Sequence, residues 1–491
     1  MLDLVILAVV LVFSLPVFAY STYTVVLLVC SLMYRPLERS DLPREGLPKL
    51  SVLIAVYNEK NVIRETLDAV GRLDYPPGSL QLVVADDSTD ETVQTVDEVA
   101  ASMRRRGVEV VVSRRDRIDG FKAGALNLAA KKLSGEYVLL LDADSRVSTQ
   151  SVTDGLSALG GSGLSFVSFR VGHYNREINL VTRAFALFQD TVDGLQKMGA
   201  SRFALPYSLQ GGFVLARASA LSQVGYWREG TLAEDADLSC RLFAAGLKGA
   251  YLSGSQLLSE DPSSLRVWKR QAARVAQGWA QCLRSNFKSI VGSRNLGPLR
   301  KLGLLLTLLS PFAGLSWIII TLVTSVAIVT GLLSPQASVF GNPAYLIAVS
   351  LPAVVFYVAG VHALSIRRML TPRNLFLLPE LSYMVPAMFT ISAISFVGGL
   401  AGRRADFFRT PKTGGPTAQI DAAQTGEGRG VRVLEGAVSV LSAVISFPVM
   451  LKGQYLLGLS LLGFGLVTLK SMELSRYFGR GSAPPKVAGG R

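Results

Sequence analysis

The stretch YVLLLDADS (137–145) sets five apolar residues directly before two carboxylates. A run this short, bounded by polar residues, reads as a strand buried on both faces, the pattern of a parallel sheet. Asp142 and Asp144 then leave that strand together at its carboxyl end. Working outward, the same texture recurs. LSVLIAVYNE (50–59) and LQLVVADDSTD (80–90) are strands that run into Asn or Asp, and VEVVVS (108–113) is a third. Asn61–Arg72, the segment from Asp90 to Arg106, and KAGALNLAAKKL (122–133) read as the intervening helices, with Ser88, Thr89 and Asp90 as N-cap candidates for the second. Strands alternating with helices predict an α/β domain over residues 48–262. In such sheets a ligand sits beyond the carboxyl ends of the strands. Asn58, Glu59, Asp86, Asp87, Asp142 and Asp144 gather there. No G-x-G-x-x-G or G-x-x-x-x-G-K-[ST] follows a strand, which excludes the dinucleotide and P-loop readings.

Outside this domain the 491-residue chain is greasy: 49% of all residues are apolar and only 18% charged, against about 25% charged in soluble domains. Three cysteines and two histidines exclude a disulfide scaffold and a Cys/His zinc site. The net charge is +14, and residues 301–491 hold 16 basic against 6 acidic side chains. These basic residues flank apolar runs, as at the cytoplasmic border of a membrane, rather than forming a soluble face with interleaved aromatics. The expected partner is membrane lipid, with no nucleic acid.

Leu4–Tyr34 carries no Asp, Glu, Lys or Arg and is followed by Arg35, Arg39 and Arg44, so residues 1–47 read as an anchor and a cytoplasmic linker. Leu302–Ile366 is equally free of them and is divided by the breaker-rich piece 331–343 into two helices, after which Arg367, Arg368 and Arg373 mark a return to the cytoplasm. The run 374–402 holds only Glu380 and precedes Arg403, Arg404, Arg409, Lys412, Arg429 and Arg432; it reads as an interfacial or re-entrant helix closing the unit 301–402. A loop (403–432), a hairpin of spans within 433–470 and a basic, disordered tail (471–491) complete the chain. Five spans are expected, or six if 374–402 crosses, in a multi-pass protein of the cell membrane with its α/β domain cytoplasmic.

Chemistry gathers at three further places. The D-x-D of Asp142 and Asp144 offers hard oxygen ligands to a divalent cation that also takes phosphate oxygens. Glu234, Asp235 and Asp237 open the helical pattern EDADLSCRLFAAG; acids there complement a helix dipole, and one of them can also serve as general base for a sugar hydroxyl. The amphipathic segment SLRVWKRQAARVAQGWAQCLRSNFK (264–288), within the unit 263–300, suits a membrane surface, and Gln271 and Arg274 share one of its faces.

With AVYNE (55–59), ADDSTDET (85–92), RRDRIDGFKAGALN (114–127), DADS (142–145), HYN (173–175), GYWREGTLAEDADLSCRL (225–242), EDP (260–262) and QAARVAQGWAQ (271–281) in this order, the chain resembles the membrane-embedded family 2 glycosyltransferases of the cellulose synthase superfamily. It looks most like their glucomannan or mannan synthase-like branch, over residues 50–290 and at a gating-loop-like FFRTPKTG (407–414). The resemblance implies a nucleotide-diphosphosugar transferase domain of GT-A type inserted between transmembrane helices. It implies an inverting, metal-dependent hexosyltransferase that uses Mg2+ or Mn2+ and a UDP- or GDP-sugar and extends a β-linked polysaccharide. Tyr57, Glu59, Asp87 and Lys122 would then hold the donor, Asp142 and Asp144 the metal and diphosphate, and Asp235, next to Glu234, would be the base. Gln271 and Trp279 would meet the acceptor and Arg274 the diphosphate, with Arg409, Thr410 and Lys412 in the closing loop. Val275 stands where the family carries an aromatic after Gln-x-x-Arg, and LQGGFVLAR (209–217) lacks the expected Asn motif. These departures keep a non-processive glycolipid synthase open as an alternative, and a non-catalytic membrane transporter or scaffold is the alternative of another class.

Overall fold

The computed structural model describes residues 2–37, 46–76, 78–160, 163–334, 343–403, 410, 412, 414 and 429–477. Helix α1 (Leu2–Leu32) leads into β1 (Leu50–Val56), α2 (Ile63–Gly71), β2 (Leu80–Asp86), α3 (Thr92–Arg105), β3 (Glu109–Ser113), α4 (Phe121–Ala130) and β4 (Tyr137–Asp142). Next come α5 (Thr149–Gly160), β5 (Phe166–His173), α6 (Leu180–Val192), a π-helical turn (Asp193–Met198), α7 (Gly199–Arg202), β6 (Val214–Arg217), α8 (Ala218–Gln223), α9 (Glu234–Ala244) and β7 (Gly249–Ser259). The long α10 (Leu265–Gly292) is followed by α11 (Pro298–Leu308), α12 (Ser310–Val329), α13 (Pro343–Ile366), α14 (Pro372–Leu375), α15 (Leu377–Met384), α16 (Pro386–Leu400), α17 (Arg429–Leu451) and α18 (Tyr455–Tyr477).

The strands form one seven-stranded sheet in the order β3-β2-β1-β4-β6-β5-β7, with β6 antiparallel to both neighbours. This is the GT-A-type α/β arrangement that the resemblance implied. Alternation explains its two cores. Leu50, Val52, Ile54, Leu82, Val84, Leu139 and Leu141 face α2, α3 and α5, while Leu53, Val83, Val138 and Leu140 face α4 and α9. In register, Val56 pairs with Asp86 and Ala55 with Asp142, so β1, β2 and β4 end flush and deliver their polar residues to one edge.

The expected caps of α3 are a local correction. The cap position is Glu91, because the Ser88 hydroxyl accepts from Asn58 N–H at 2.9 Å and the Thr89 N–H donates to Asn58 Oδ1 at 2.8 Å. Asp90 still accepts the Thr92 N–H at 3.0 Å.

Among the described residues three helices are long and apolar enough to cross a membrane: Leu4–Leu32, Ser310–Val329 and Val433–Leu451. Leu351–Ile366, Met388–Leu400 and Tyr455–Lys470 are shorter apolar stretches. α1 approaches the domain closely. A Cβ on Gly199 would lie 2.4 Å from the Leu27 carbonyl oxygen, and the Ser31 hydroxyl donates to Gly194 O at 2.7 Å. The run 374–402 breaks into α14, α15 and α16, and both of its ends touch the domain side: Arg373 lies 3.3 Å from Glu177, and the Arg403 carbonyl accepts from Gln277 at 3.1 Å. α17 and α18 pack as a hairpin, tied to α10 by the fully buried pair Lys269–Glu435 at 2.6 Å. α18 continues to Tyr477, so the beginning of the stretch read as a disordered tail is helical.

Candidate active site

At the end of β4 the Lys122 ammonium, from α4, donates to Asp142 at 2.7 Å and lies 3.0 Å from Glu234 of α9. Gly212 presses so closely on this corner that a Cβ there would lie 2.5 Å from the Asp142 N–H nitrogen, which makes glycine obligatory. Asp144 follows a different path. Arg146 pairs with Leu258 in an antiparallel bridge, which draws the chain towards β7. There Asp144 Oδ2 accepts from the Ser259 hydroxyl at 2.7 Å, the Glu260 N–H at 2.8 Å and the Lys412 ammonium at 2.8 Å. Burial pushes the Asp144 carboxyl up, but Lys412 and these hydrogen bonds outweigh it and hold the group below its ordinary value. The Lys412 ammonium also donates to Glu260 O at 2.8 Å, while Gly414 N–H reaches Glu260 Oε2 at 3.0 Å. Thr410 is half-buried nearby in sequence, and Arg409 lies outside the described residues.

Glu234 and Asp235 are driven apart. For Glu234, burial opposes ionisation, yet Lys122 and Arg274 prevail and keep its pKa low. Asp235 is pushed up to about 6 by burial and by the Glu234 charge. Its Oδ2 accepts the Gly211 N–H at 2.9 Å and its Oδ1 the Ala236 N–H at 2.8 Å. Adjacent carboxyls with separated pKa values divide the labour: one stays an anion, the other can take up a proton near neutrality.

The remaining expected residues fall around this core. Tyr57 and Glu59 are half-buried beyond β1, where Asn58 adopts φ 53°, a left-handed conformation that asparagine tolerates. Asp87 is clamped by Arg115 at 2.8 and 2.6 Å, a residue that sequence reasoning quoted but did not assign. On α10, Arg274 reaches Glu234 electrostatically, and Gln271 Oε1 is buried with no hydrogen-bond partner among the described residues. Trp279 packs half-buried against the core that contains Ala233 and Trp227.

Sequence reasoning also missed Gln210 and Lys197. Lys197 sits in the π-helical turn, the kind of irregularity that accompanies functional sites. Its ammonium lies 3.1 Å from Asp193 and donates to Gln210 Oε1 at 2.6 Å, which fixes the loop that presents Gly211 to Asp235. The available signal was the Gly-Gly pair at 211–212. Losing the Gly211 N–H would raise the pKa of Asp235, since that bond favours the carboxylate. In Lys197→Met the acid limb of the rate profile should therefore move up by about one pH unit, and Lys197→Arg should restore it. A flat profile shift in both variants would leave Lys197 a packing residue only.

Behind Asp144, His173 contacts Asp261 at 2.7 Å and Asp190 at 3.3 Å. Burial alone would lower its pKa, but the two carboxylates raise it from 6.5 to about 9. The charged pair thus stabilises the fold fully below pH 6.5, and this contribution is lost as pH rises through about 9. Thermal melts should show Tm falling across that window for the native chain and staying level for His173→Gln.

Asp142 and Asp144 supply hard oxygen donors, and each is balanced by an ammonium group, so both positions attract a cation. Among the described residues no group of three or more His, Cys, Asp or Glu is placed to chelate a metal by itself. The two carboxylates are donors of the kind that Mg2+ or Mn2+ takes together with substrate phosphates and water.

The family model described as "Glycosyl transferase family group 2" matches residues 137–360, from β4 into α13. Glucomannan 4-beta-mannosyltransferase 9 of Arabidopsis thaliana is 29% identical over 272 residues, covering 54% of this chain and 50% of its own length. The probable glycosyltransferase YdaM of Bacillus subtilis (strain 168) is 28% identical over 236 residues, covering 47% of this chain and 55% of its own. Among solved structures, mannosyltransferase PcManGT from Pyrobaculum calidifontis, in complex with GDP-Man and Mn2+, superposes with a TM-score of 0.48 at 18% identity, over 74% of this chain and 99% of that one. The chain spans about half the length of the curated relatives it matches. Residues 137–360, which include Asp142, Asp144, Glu234 and Asp235, match the glycosyl transferase family group 2 model, and the chain is similar to curated glucomannan 4-beta-mannosyltransferases.

Proposed function

We propose that this chain is a membrane glycosyltransferase that moves a sugar from a UDP- or GDP-sugar, with inversion, onto a growing β-linked polysaccharide and exports the product through its helices. One observation carries the reading: Asp142, Lys122, Glu234 and the raised-pKa Asp235 meet at a single sheet edge, with Lys412 and Asp144 beside them. The names of the curated relatives put a mannose donor first among those to try.

In this mechanism Tyr57, Glu59 and Asp87 hold the nucleoside at the ends of β1 and β2. Asp142 and Asp144 would hold a divalent cation, which neutralises charge on the departing diphosphate when bound. Lys122, Arg274 and Lys412 add fixed positive charge around those oxygens. Asp235 takes the proton from the acceptor hydroxyl as that oxygen attacks the anomeric carbon, and Glu234 remains ionised and orients Lys122. A single base suffices because the acceptor itself is the nucleophile. Gln271, whose Oε1 has no hydrogen-bond partner among the described residues, offers an acceptor for a sugar hydroxyl. The contacts of Lys412, Arg373 and Arg403 with the domain favour placing the basic loops and the catalytic domain together on the cytoplasmic face, with five spans. A single transfer to a lipid is the second reading. It is favoured by Val275 and by the packing of Trp279 against the core, which leave no aromatic platform assigned to a polymer.

Membranes holding the full chain should transfer label from one member of a panel of UDP- and GDP-sugars in Mg2+ or Mn2+, and lose that activity in chelator. Linkage analysis of the product separates polymer from glycolipid. No transfer or donor hydrolysis with any donor in the presence of metal would leave the scaffold reading standing.

A further inference from the structure

Away from the catalytic edge, three arginines from two separate parts of the chain converge on one carboxylate. Arg176 Nε lies 3.8 Å from Glu177, Arg183 Nε 3.9 Å and Arg373 Nη2 3.3 Å. These contacts are loose. Arg176 Nε and Nη2 and Arg183 Nε are buried and make no hydrogen bond in the described structure, although Arg176 is only 6% exposed. Of the neighbouring acids, Asp190 is shared by Arg367, His173 and, at 3.7 Å, Arg176 itself, and Asp261 is engaged with His173. Glu177 therefore faces three guanidinium groups with one charge, and only Arg176 has a share in a second carboxylate, Asp190; Glu177 and Arg373 are 58% and 69% exposed. Buried guanidinium donors without acceptors are costly, and a phosphate, with several acceptor oxygens, matches their forked geometry better than a single distant carboxylate.

The position of the cluster says which phosphate. Arg367 and Arg373 immediately follow α13, which carries no charged residue from Pro343 to Ile366. Beside them Leu370, Leu375 and Phe376 stand 51%, 37% and 74% exposed. Met369 is held to the cluster by Arg176, whose Nη1 lies 3.4 Å from its sulfur. Apolar side chains exposed next to a guanidinium cluster at the end of an apolar helix fit a molecule with a phosphate head and a hydrocarbon tail. We propose that Arg176, Arg183 and Arg373 form a binding site for the phosphate of an anionic phospholipid, which takes the place of the Glu177 carboxylate while its acyl chains lie along Leu370, Leu375 and Phe376. The site rests on the membrane reading of α13 and not on the transferase chemistry.

The test uses the full chain in mixed micelles with labelled phosphatidylglycerol or phosphatidylcholine, counting label retained after free lipid is removed. The native chain should retain phosphatidylglycerol preferentially. Arg183→Gln combined with Arg373→Gln should cut that preference on the order of 25-fold, taking about 1 kcal/mol per arginine near a surface as one factor of about five each. Glu177→Gln, which removes the internal competitor, should strengthen retention, and it remains informative if the double variant fails to fold. Inorganic phosphate at millimolar concentration should not displace the lipid. Equal retention of the two lipids, or no gain in Glu177→Gln, would overturn the proposal; displacement by inorganic phosphate would assign the cluster to free phosphate instead.

Discussion

Asp235→Asn is expected to lower sugar transfer by 10²-fold or more, on the order of what loss of a general base costs, while donor affinity stays near native. Donor binding survives because Asp142, Lys122 and Glu234 are untouched and Lys122 keeps both of its carboxylate partners. In the native chain kcat/KM should fall about tenfold per pH unit below roughly 6, where Asp235 gains its proton. The neighbouring charge supplies a control with a definite sign. Glu234 is one cause of the raised Asp235 pKa, so Glu234→Gln should move the acid limb to lower pH while weakening donor binding through the loss of the Lys122 contact. If Asp235→Asn instead loses donor binding with an unchanged rate per bound donor, Asp235 belongs to the donor site and the base must be sought elsewhere.

How far the sequence revealed this arrangement depends on the reach of each interaction. β1, β2 and β4 were legible because parallel strands buried on both faces read as continuous apolar runs, with Asn58, Asp86 and Asp142 at or just past their carboxyl ends, and the less buried β3 showed as a run of valines. β6 was not, being four residues of antiparallel strand, VLAR, whose only mark is the preceding Gly-Gly. Asp142 and Asp144, two residues apart, invited a single shared cation. The structure sends them to different lysines, because the Arg146–Leu258 bridge turns Asp144 towards β7. Nothing local announces that bridge. Lys122 lies within the domain and was within reach of motif reading, whereas Lys412 is 268 residues from Asp144 and entered only through the family resemblance. Lys197 escaped altogether, since a buried lysine in a π-helical turn looks in sequence like one more polar residue on a helix. The extension of α18 into the stretch SMELSRY was hidden by basic residues that suggested a solvated tail.

Lys412, the most distant in sequence of these lysines, bears on the other large expected effect. Asp144→Ala should abolish transfer together with metal-dependent donor binding, because diphosphate and the remaining carboxylate at Asp142 repel each other without a cation between them. This substitution also strands the Lys412 ammonium, which is part-buried with the Glu260 carbonyl as its other hydrogen-bond partner. Breaking a fully buried pair costs about 3–5 kcal/mol and this part-buried one less, which is still enough that loss of activity alone would not distinguish chemistry from folding. Lys412→Ala makes the distinction, since it removes the opposite member and leaves the oxygen donors intact. If Lys412 stands where a cation binds, that variant should take up Mn2+ more tightly than the native chain while its transfer rate falls, because the charge that the loop brings to the departing diphosphate is gone. A plain basic loop held by anionic lipid would behave differently: its loss would be mild and would vary with lipid charge, at about 1 kcal/mol per lysine. Mn2+ titration and transfer by Lys412→Ala in neutral and in anionic bilayers therefore decide the matter. Native Mn2+ affinity with native transfer in neutral lipid would remove the loop from the mechanism. Full turnover of Asp144→Ala in chelator would remove the metal.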